Sequence, residues 1–259
     1  MQWETKRKIV YALAVIVILF TVAVLVAYSF RDVFIPPPTC VDKIKNGYET
    51  DVDCGGECSL MCSQDVHPVS ALWAKAIHGQ GEFYDIVAMI DNPNRDSVAY
   101  TTEYVFTIYG ETGAVIATLP GALVAPLDAQ FPLIIQNLKL PVVPKNVILS
   151  IKESPHVRVA EKSAIPAIKI TGERFENGQI PRLYVTLINT QRKERRDLPV
   201  RVVLFDKNGN AYAVGQTLVP LIEREGSREV IITWDKPLER APESVKVYPI
   251  ITPFDGDQN

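Results

Sequence analysis

The longest apolar run in the chain covers Ile9–Phe30 and contains no charged residue. As an α-helix, a segment of this length reaches about 33 Å, which is enough to cross the ~30 Å hydrocarbon core of a bilayer. Only Thr21 and Ser29 interrupt the run, so it lacks the polar face that a helix packed on a soluble core would show. The pattern therefore predicts one membrane-spanning helix over residues 9–30.

Three basic residues precede this helix, at positions 6–8. The positive-inside rule then places residues 1–8 in the cytoplasm as a short tail and the rest of the chain outside it. A cleavable signal peptide also begins with basic residues, but its apolar region is shorter and ends in a small-x-small site. A cut after Ala27 would put Leu25 at the −3 position, so we interpret the helix as a retained anchor in the cell membrane.

All four cysteines lie in one short segment, PTCVDKIKNGYETDVDCGGECSLMC, at Cys40, Cys54, Cys58 and Cys62. Outside the cytoplasm cysteines can oxidise, and so short a segment cannot bury a core without cross-links. We therefore predict two disulfides in a module over residues 40–62, and the spacing leaves all three pairings open. Four thiolates binding zinc are the alternative, but the segment lacks the usual Cys-x2-Cys knuckle.

The same segment is rich in acidic and amide side chains, which makes calcium a possible cofactor. The candidate oxygen ligands are Asp42, Asn46, Glu49, Asp51 and Asp53. Against an EF-hand loop, Asn46 and Gly47 fall on suitable positions, but Ile44 stands where an oxygen ligand is needed. The alternative is that these acids only solvate a tight loop. No other cofactor is expected.

The cysteine-rich segment resembles a small motif of bacterial surface proteins that runs NG-x-ETDVDCGG-x-C. Residues 46–58, NGYETDVDCGGEC, carry this match, although Asp42-Lys43 replaces the Asp-Gly pair common after the first cysteine. The resemblance implies a surface module and no particular activity. Residues 31–39, RDVFIPPPT, are predicted to form a stiff polyproline spacer between the membrane and this module.

From Ser70 onward the chain alternates apolar and polar residues with the period of two that is typical of β-strands. In the segment 198–204, alternate residues are apolar while Arg201 faces the opposite way. The sequence Asp206-Lys207-Asn208-Gly209 then predicts a hairpin turn. Several such strands with turns between them predict all-β domains, antiparallel sandwiches of immunoglobulin or fibronectin type, over residues 66–155 and 164–254.

The strand pattern occurs twice, which indicates a tandem duplication with a domain-sized period near 95 residues. YDIVAMIDNPN (84–94) aligns with RLYVTLINTQR (182–192). EYVFTIYGETGAVIA (103–117) aligns with PVRVVLFDKNGNAYA (199–213), which places Gly113 over Gly209. The segment between the copies is short and contains two prolines, so we expect the domains to pack end to end.

Both copies resemble the FxLYD family of bacterial extracytoplasmic domains. FTIYG (106–110) nearly matches the motif that names the family, and VVLFD (202–206) is a looser version. The turn after a strand at Asn92-Pro93-Asn94 is also similar to the WHy and type 2 late-embryogenesis-abundant sandwiches. The resemblance implies β-sandwiches displayed from a membrane anchor, usually without known catalysis.

Charge and motifs exclude several classes of function. The net charge is −3 for the chain and −5 for the part after the predicted helix, so nucleic acid is not expected as a partner. No nucleophile elbow, phosphate-binding loop or dinucleotide fingerprint occurs. His67 and His156 adjoin prolines and are predicted to lie in loops. We expect neither an enzyme nor a small-molecule substrate.

Two features suggest contact surfaces for a protein, a lipid headgroup or an anionic polymer of the cell envelope. One is a basic cluster outside the cytoplasm, made of Arg192, Lys193, Arg195 and Arg196. The other is Pro132, which predicts an edge strand or a bulge because proline cannot donate to a central sheet.

The sequence as a whole predicts a single-pass membrane protein whose extracytoplasmic domains bind or scaffold a macromolecular partner. An accessory subunit of a membrane-embedded secretion or pilus machine is the first alternative, with the helix packing against partners. A calcium-dependent adhesive module is the second.

Overall fold

The computed structural model describes residues 2–30, 38–159 and 168–252. The chain divides into two compact units, Met1–Cys58 and Ser59–Asn259. Most of the predicted spacer (31–37) and part of the predicted linker between the domains (160–167) lie outside the described residues. Each unit is described separately below.

The first unit begins with one helix, α1 (Gln2–Ser29). Within it, Lys6–Ser29 is long and apolar enough to cross a membrane, and none of it is buried inside the protein. Thr21 Oγ1 donates a hydrogen bond to the carbonyl oxygen of Val17 at 2.8 Å. This hydroxyl is therefore satisfied within the helix, as a hydrocarbon environment requires.

The first sandwich contains two three-stranded antiparallel sheets with the orders β1-β2-β6 and β5-β4-β7, and a small sheet of β3 and β8. Its strands are β1 (Ser70–His78), β2 (Phe83–Asn92), β3 (Ser97–Ala99), β4 (Thr102–Tyr109), β5 (Val115–Leu123), β6 (Ala129–Lys139), β7 (Asn146–Ile151) and β8 (His156–Arg158). The predicted end of this domain was residue 155, but strand β8 follows it and belongs to the same sandwich.

The second sandwich repeats this arrangement with the sheets β9-β10-β13 and β12-β11-β14. Its strands are β9 (Ile168–Glu176), β10 (Arg182–Asn189), β11 (Arg195–Phe205), β12 (Ala211–Ile222), β13 (Ser227–Thr233) and β14 (Ser244–Pro249). Because six strands occupy equivalent places in both copies, the duplication inferred from the sequence is also present in the topology.

Alternate residues of each strand fill the space between the two sheets. On β11, Leu198, Val200, Val202 and Leu204 are all completely buried in the core of the second sandwich. Phe106 takes the corresponding place in the first core. The predicted fold class is therefore confirmed: an apolar helix and a disulfide-rich module precede two antiparallel β-sandwiches.

A buried asparagine ends the second strand of each sandwich, at Asn92 on β2 and Asn189 on β10. Each side-chain Oδ1 accepts a hydrogen bond from the backbone N–H two residues on, in Asn94 at 3.1 Å and in Gln191 at 3.0 Å. Each Nδ2 also donates to a backbone carbonyl of a distant loop. The same local bond pattern identifies Asn92 and Asn189 as equivalent residues.

This equivalence shows that the predicted alignment of 84–94 with 182–192 is wrong by one residue. That alignment places buried Ile86 over Tyr184, whose side chain faces away from the core. A slip of one residue turns every strand side chain to the opposite face. The second alignment is correct, since Gly113 and Gly209 both have left-handed backbones with φ of 79° and 76°.

The two sandwiches pack sheet face against sheet face, not end to end as expected. The outer face of the β1-β2-β6 sheet meets the outer face of the β12-β11-β14 sheet. The contact is a buried apolar group, here called the inter-sandwich cluster, of Ile77, Val87, Met89, Ile134, Val203, Ala211 and Val214. Strand β2 is consequently buried on both faces, which explains its nearly continuous apolar sequence.

Long cationic side chains add hydrogen bonds around the inter-sandwich cluster. Arg201 Nη1 donates to the carbonyl oxygen of Pro132 at 2.6 Å, and Lys75 Nζ donates to that of Ala211 at 2.7 Å. Burial lowers the pKa of the Arg201 guanidinium, which nevertheless stays charged because an arginine does not deprotonate in proteins. These bonds fix the register of the two sheets across the interface.

The equivalent faces at the two ends of the pair are more polar. Val203 is paired with Val214 across β11 and β12, whereas the equivalent pair on β4 and β5 is Thr107 with Thr118. The residue on β10 that is equivalent to Met89 is Thr186, because each lies three residues before the buried asparagine, Asn92 or Asn189. These positions are therefore more polar on the outer faces, while Ile148 on β7 and Ile231 on β13 are exposed there.

Substitution Val203→Asp is expected to separate the two sandwiches by placing a charge in the inter-sandwich cluster. The cost should be about 3 kcal/mol of unfolding free energy, because a buried unpaired charge has no compensating partner. Differential scanning calorimetry of the detergent-solubilised full-length protein should show the single β-sandwich transition splitting into two. Thr107→Asp, at the equivalent position of the outer face, is the matched control. Equal melting of both variants would contradict the interface.

Candidate binding sites

The cysteine-rich segment contains two disulfides, as predicted. Cys40 is bonded to Cys58 with their Cα atoms 5.7 Å apart, and Cys54 and Cys62 are also disulfide-bonded. No cysteine of the chain is free. The alternative of a four-thiolate zinc site is therefore wrong, because none of the four sulfurs is a thiolate.

The acidic side chains of this segment accept hydrogen bonds from nearby backbone amides. The Asp53 carboxylate accepts a bond from the N–H of Lys43 at 3.0 Å. Asp42 accepts bonds from the side chain of Asn46 at 3.0 Å and the N–H of Ile44 at 2.9 Å. These bonds hold the pKa of the Asp42 carboxyl below its usual range. The acids thus stabilise a loop in which Lys43 and Asp53 have left-handed backbones.

Glu49 accepts hydrogen bonds from the backbone N–H groups of Asn46 and Asp53, both at 3.3 Å, and Asp51 accepts one from Val52. Among the described residues, the one group of three possible metal ligands from histidine, cysteine and acidic side chains is Cys40, Glu49 and Cys58. Its two sulfurs form a disulfide. Four of the five predicted calcium ligands thus accept hydrogen bonds within the loop, whereas Asn46 Oδ1 is buried and accepts none from a described residue. Calcium binding stays a prediction from the sequence.

The predicted basic cluster does not form one continuous cationic patch. Arg195 begins β11 with only 2% of its surface exposed, in cross-strand register with Ile222. Arg196 Nε lies 2.7 Å from Glu194 Oε1, and both side chains are exposed. Of the four predicted contact residues, Arg195 is therefore inaccessible and Arg196 is partly neutralised.

The remaining two basic residues lie in the loop between β10 and β11. The side chain of Arg192 is almost fully exposed, and its Nε lies 3.9 Å from Glu225 Oε1. The carbonyl oxygen of Lys193 accepts a hydrogen bond from Asn189 Nδ2 at 2.8 Å, so the buried asparagine holds this loop in place. A contact with an anionic partner stays a prediction, and Arg192, Lys193 and Arg196 are the residues able to make it.

Strand β6 is an outer strand of its sheet, as the position of Pro132 predicts. Pro132 is in register with Met89 on β2, and its carbonyl oxygen accepts the hydrogen bond from Arg201 of the second sandwich. Part of this edge is therefore already covered within the chain. Strand addition by a partner would have to use the rest of β6.

A cavity of about 430 Å³ lies where the segment 60–69 passes one end of the first sandwich. Its lining includes the apolar residues Leu60, Val66, Val69 and Ile151 and the polar residues Ser63, His67, Lys152, Glu153, Ser154 and His156. No sequence pattern predicts this cavity, because its residues come from separate segments that only the fold brings together.

His156 is buried, contrary to the loop expected beside Pro155. It begins β8, only 6% of its surface is exposed, and its Nδ1 lies 3.3 Å from Ser97 Oγ on β3. Burial lowers the pKa of the imidazole, so the ring is neutral at physiological pH. A three-residue strand is too short for the period-two pattern to reveal.

No family model and no curated protein matches this chain. Among solved structures, the chain is similar to the crystal structure of red sea bream transglutaminase with 9% identity and a TM-score of 0.21. That match covers 72% of this chain and 31% of the transglutaminase chain. A likeness this slight carries no argument about fold or activity.

The buried imidazole predicts a loss of stability in mild acid. The folded state lowers the pKa of His156 below the ~6.5 of an unfolded chain. The neutral imidazole therefore contributes fully to folding stability above pH ~6.5, and this contribution declines as the pH falls toward the pKa of the folded state. Between pH 7.5 and 5.5 the melting temperature should fall further in the wild type than in His156→Gln. His78→Gln, which changes an exposed ring, should keep the wild-type dependence. Identical pH profiles for wild type and His156→Gln would contradict this assignment.

Proposed function

We propose that this chain is a single-pass membrane protein that holds its two sandwiches outside the cytoplasm as a non-enzymatic scaffold or binding module for a macromolecular partner. The observation that carries the proposal is the one apolar helix near the N-terminus, followed by a disulfide-rich module and a β-sheet region. In this proposal the N-terminal tail is cytoplasmic, in line with the basic residues before the helix.

The disulfides support the extracytoplasmic location, since such cross-links persist in oxidising compartments and are rare in the cytosol. The packed pair of sandwiches supports a scaffold, because the inter-sandwich cluster and its hydrogen bonds set one geometry for both domains. The resemblance to FxLYD domains and to a bacterial surface motif agrees with this role.

An accessory subunit of a membrane-embedded secretion or pilus machine is the second candidate. It is favoured by α1, whose apolar surface is not covered by any described part of the chain. Alanines at positions 12, 14, 23 and 27 would let partner helices approach closely.

Cysteine labelling in intact cells tests the location directly. A new cysteine introduced by Ser227→Cys, in exposed strand β13, should react with a membrane-impermeant maleimide before lysis. A cysteine introduced by Lys6→Cys should react only after lysis. The reverse pattern, or release of a fragment that lacks residues 1–30 from the membrane, would contradict the anchored topology.

In-cell crosslinking of the full-length protein then distinguishes the two candidate roles. Crosslinks from α1 to other membrane proteins would support the machine subunit, whereas crosslinks from the sandwiches alone would support a free-standing surface binder. The absence of any crosslinked macromolecule under conditions that link α1 to lipid would contradict both.

The basic loop is tested with a variant that leaves the fold intact. Replacing Arg192, Lys193 and Arg196 with Ser should reduce co-sedimentation with isolated cell envelopes about fivefold at low salt if an anionic polymer is the partner. The matched control replaces Lys207, Lys139 and Lys145, which are exposed elsewhere on the sandwiches. Equal sedimentation of both variants would exclude this loop as the contact.

A further inference from the structure

We propose that residues 40–48 of the disulfide-rich module, here called the apolar loop, lie against the membrane that α1 crosses. In this contact Val41, Ile44 and Tyr48 are buried between the lipid headgroups and the upper acyl chains. The inference rests on the anchored topology proposed above and goes beyond it, because an anchor alone does not bring the module to the membrane surface. It is carried by the exposure of these side chains, the internal hydrogen bonds of the loop and the short tether to α1.

The large apolar side chains between Cys40 and Cys58 face solvent instead of a core. Val41 is 83% exposed, Tyr48 77% and Ile44 62%, and all three belong to the apolar loop. Apolar surface leaves water favourably, so exposed apolar side chains gathered in one short segment mark a contact with an apolar environment.

The polar groups of the apolar loop are bonded within the module. The Asp42 carboxylate accepts hydrogen bonds from the backbone N–H of Thr39 at 3.2 Å and from that of Ile44 at 2.9 Å. The Asp53 carboxylate accepts one from the N–H of Lys43 at 3.0 Å. These backbone donors do not depend on water, so the loop keeps its hydrogen bonds when its apolar side chains enter the membrane interface.

The tether between α1 and the apolar loop is short. The helix ends at Ser29, and the chain from Phe30 to Pro38 spans at most about 29 Å even when it is fully extended. The loop also returns to the end of this tether, since a Cβ atom added at Gly47 would lie 2.9 Å from the Cβ of Pro38. Both ends of the loop are therefore within reach of the membrane surface.

A tether of this length favours lipid over a separate protein as the partner. Three apolar side chains are too few for a stable protein–protein interface, which buries about 800 Å² on each partner. A short tether instead keeps the loop beside the bilayer at an effective concentration in the millimolar range, where a weak contact is occupied. The ring of Tyr48 suits the same place, because tyrosine is enriched at membrane interfaces.

Charge contributes little to this contact. The exposed charged side chains between residues 38 and 58 are two lysines and two acids: Lys43, Lys45, Asp51 and Glu57. Because these charges cancel, apolar burial and not attraction to anionic lipid supplies the affinity. We therefore expect contact with zwitterionic phosphatidylcholine, while the lysine side chains extend their ammonium groups toward the headgroups and water.

Quenching of tryptophan fluorescence by brominated phosphatidylcholine tests the contact in the full-length protein, reconstituted into vesicles. The background variant is Trp3→Phe, which removes the indole at the start of α1. The fluorescence added by Tyr48→Trp should be about twofold weaker in brominated than in ordinary vesicles, because interfacial side chains lie about 5–10 Å deep at the acyl boundary. The fluorescence added by Leu218→Trp, at an exposed site of β12, should be equal in both.

Ile44→Asp, combined with Tyr48→Trp, places a charge in the apolar loop and should remove the quenching at position 48. The matched control is Thr50→Asp, which adds the same charge at an exposed site of the module outside the loop and should keep the quenching. Peptide mapping under non-reducing conditions verifies that both variants retain the bond between Cys40 and Cys58.

The quenching should persist in about 1 M NaCl, where the Debye length is only about 3 Å. Loss of quenching in high salt, or equal fluorescence at position 48 in both kinds of vesicle, would overturn the membrane contact while leaving the anchor in place. Failure of the protein to float with the vesicles in a density gradient would instead contradict the anchored topology on which the contact rests.

Discussion

The apolar contact between the two sandwiches is the interaction on which the arrangement of the two β-sheet domains depends. Val87 and Met89 on β2 lie against Val203 and Val214 of the second sandwich, so a strand that would otherwise have one solvated face is buried on both. The hydrogen bonds that Arg201 and Lys75 donate across the interface then fix the two sheets in one register. The tandem pair is consequently a single packed body.

A duplicated gene product faces the risk that an interface between its two copies also joins further molecules. Head-to-tail contacts of this kind extend into open filaments unless the outer faces differ from the inner ones. Here the valines of the interface are replaced at equivalent positions by Thr107 and Thr118. The two copies therefore differ at positions that contact an apolar sheet in the second sandwich and water in the first.

The disulfide-rich module illustrates how a short segment holds a shape without a core. Its carboxylates accept hydrogen bonds from the amides of tight turns, and the disulfides restrict the unfolded chain. The acid-rich sequence that resembles a metal loop thus has a sufficient structural explanation within the segment itself.

The sequence alone determined the features that depend on local pattern. The apolar run predicted α1, the period of two predicted the core face of β11, and the glycines at 113 and 209 marked the equivalent hairpins. The tertiary structure decided what depends on residues far apart in the chain. It buried Arg195 and His156, corrected the alignment through the hydrogen bonds of Asn92 and Asn189, and placed the sheets face to face. Burial, register and cavity walls arise from contacts between separate segments, and the pattern of a single segment does not contain them.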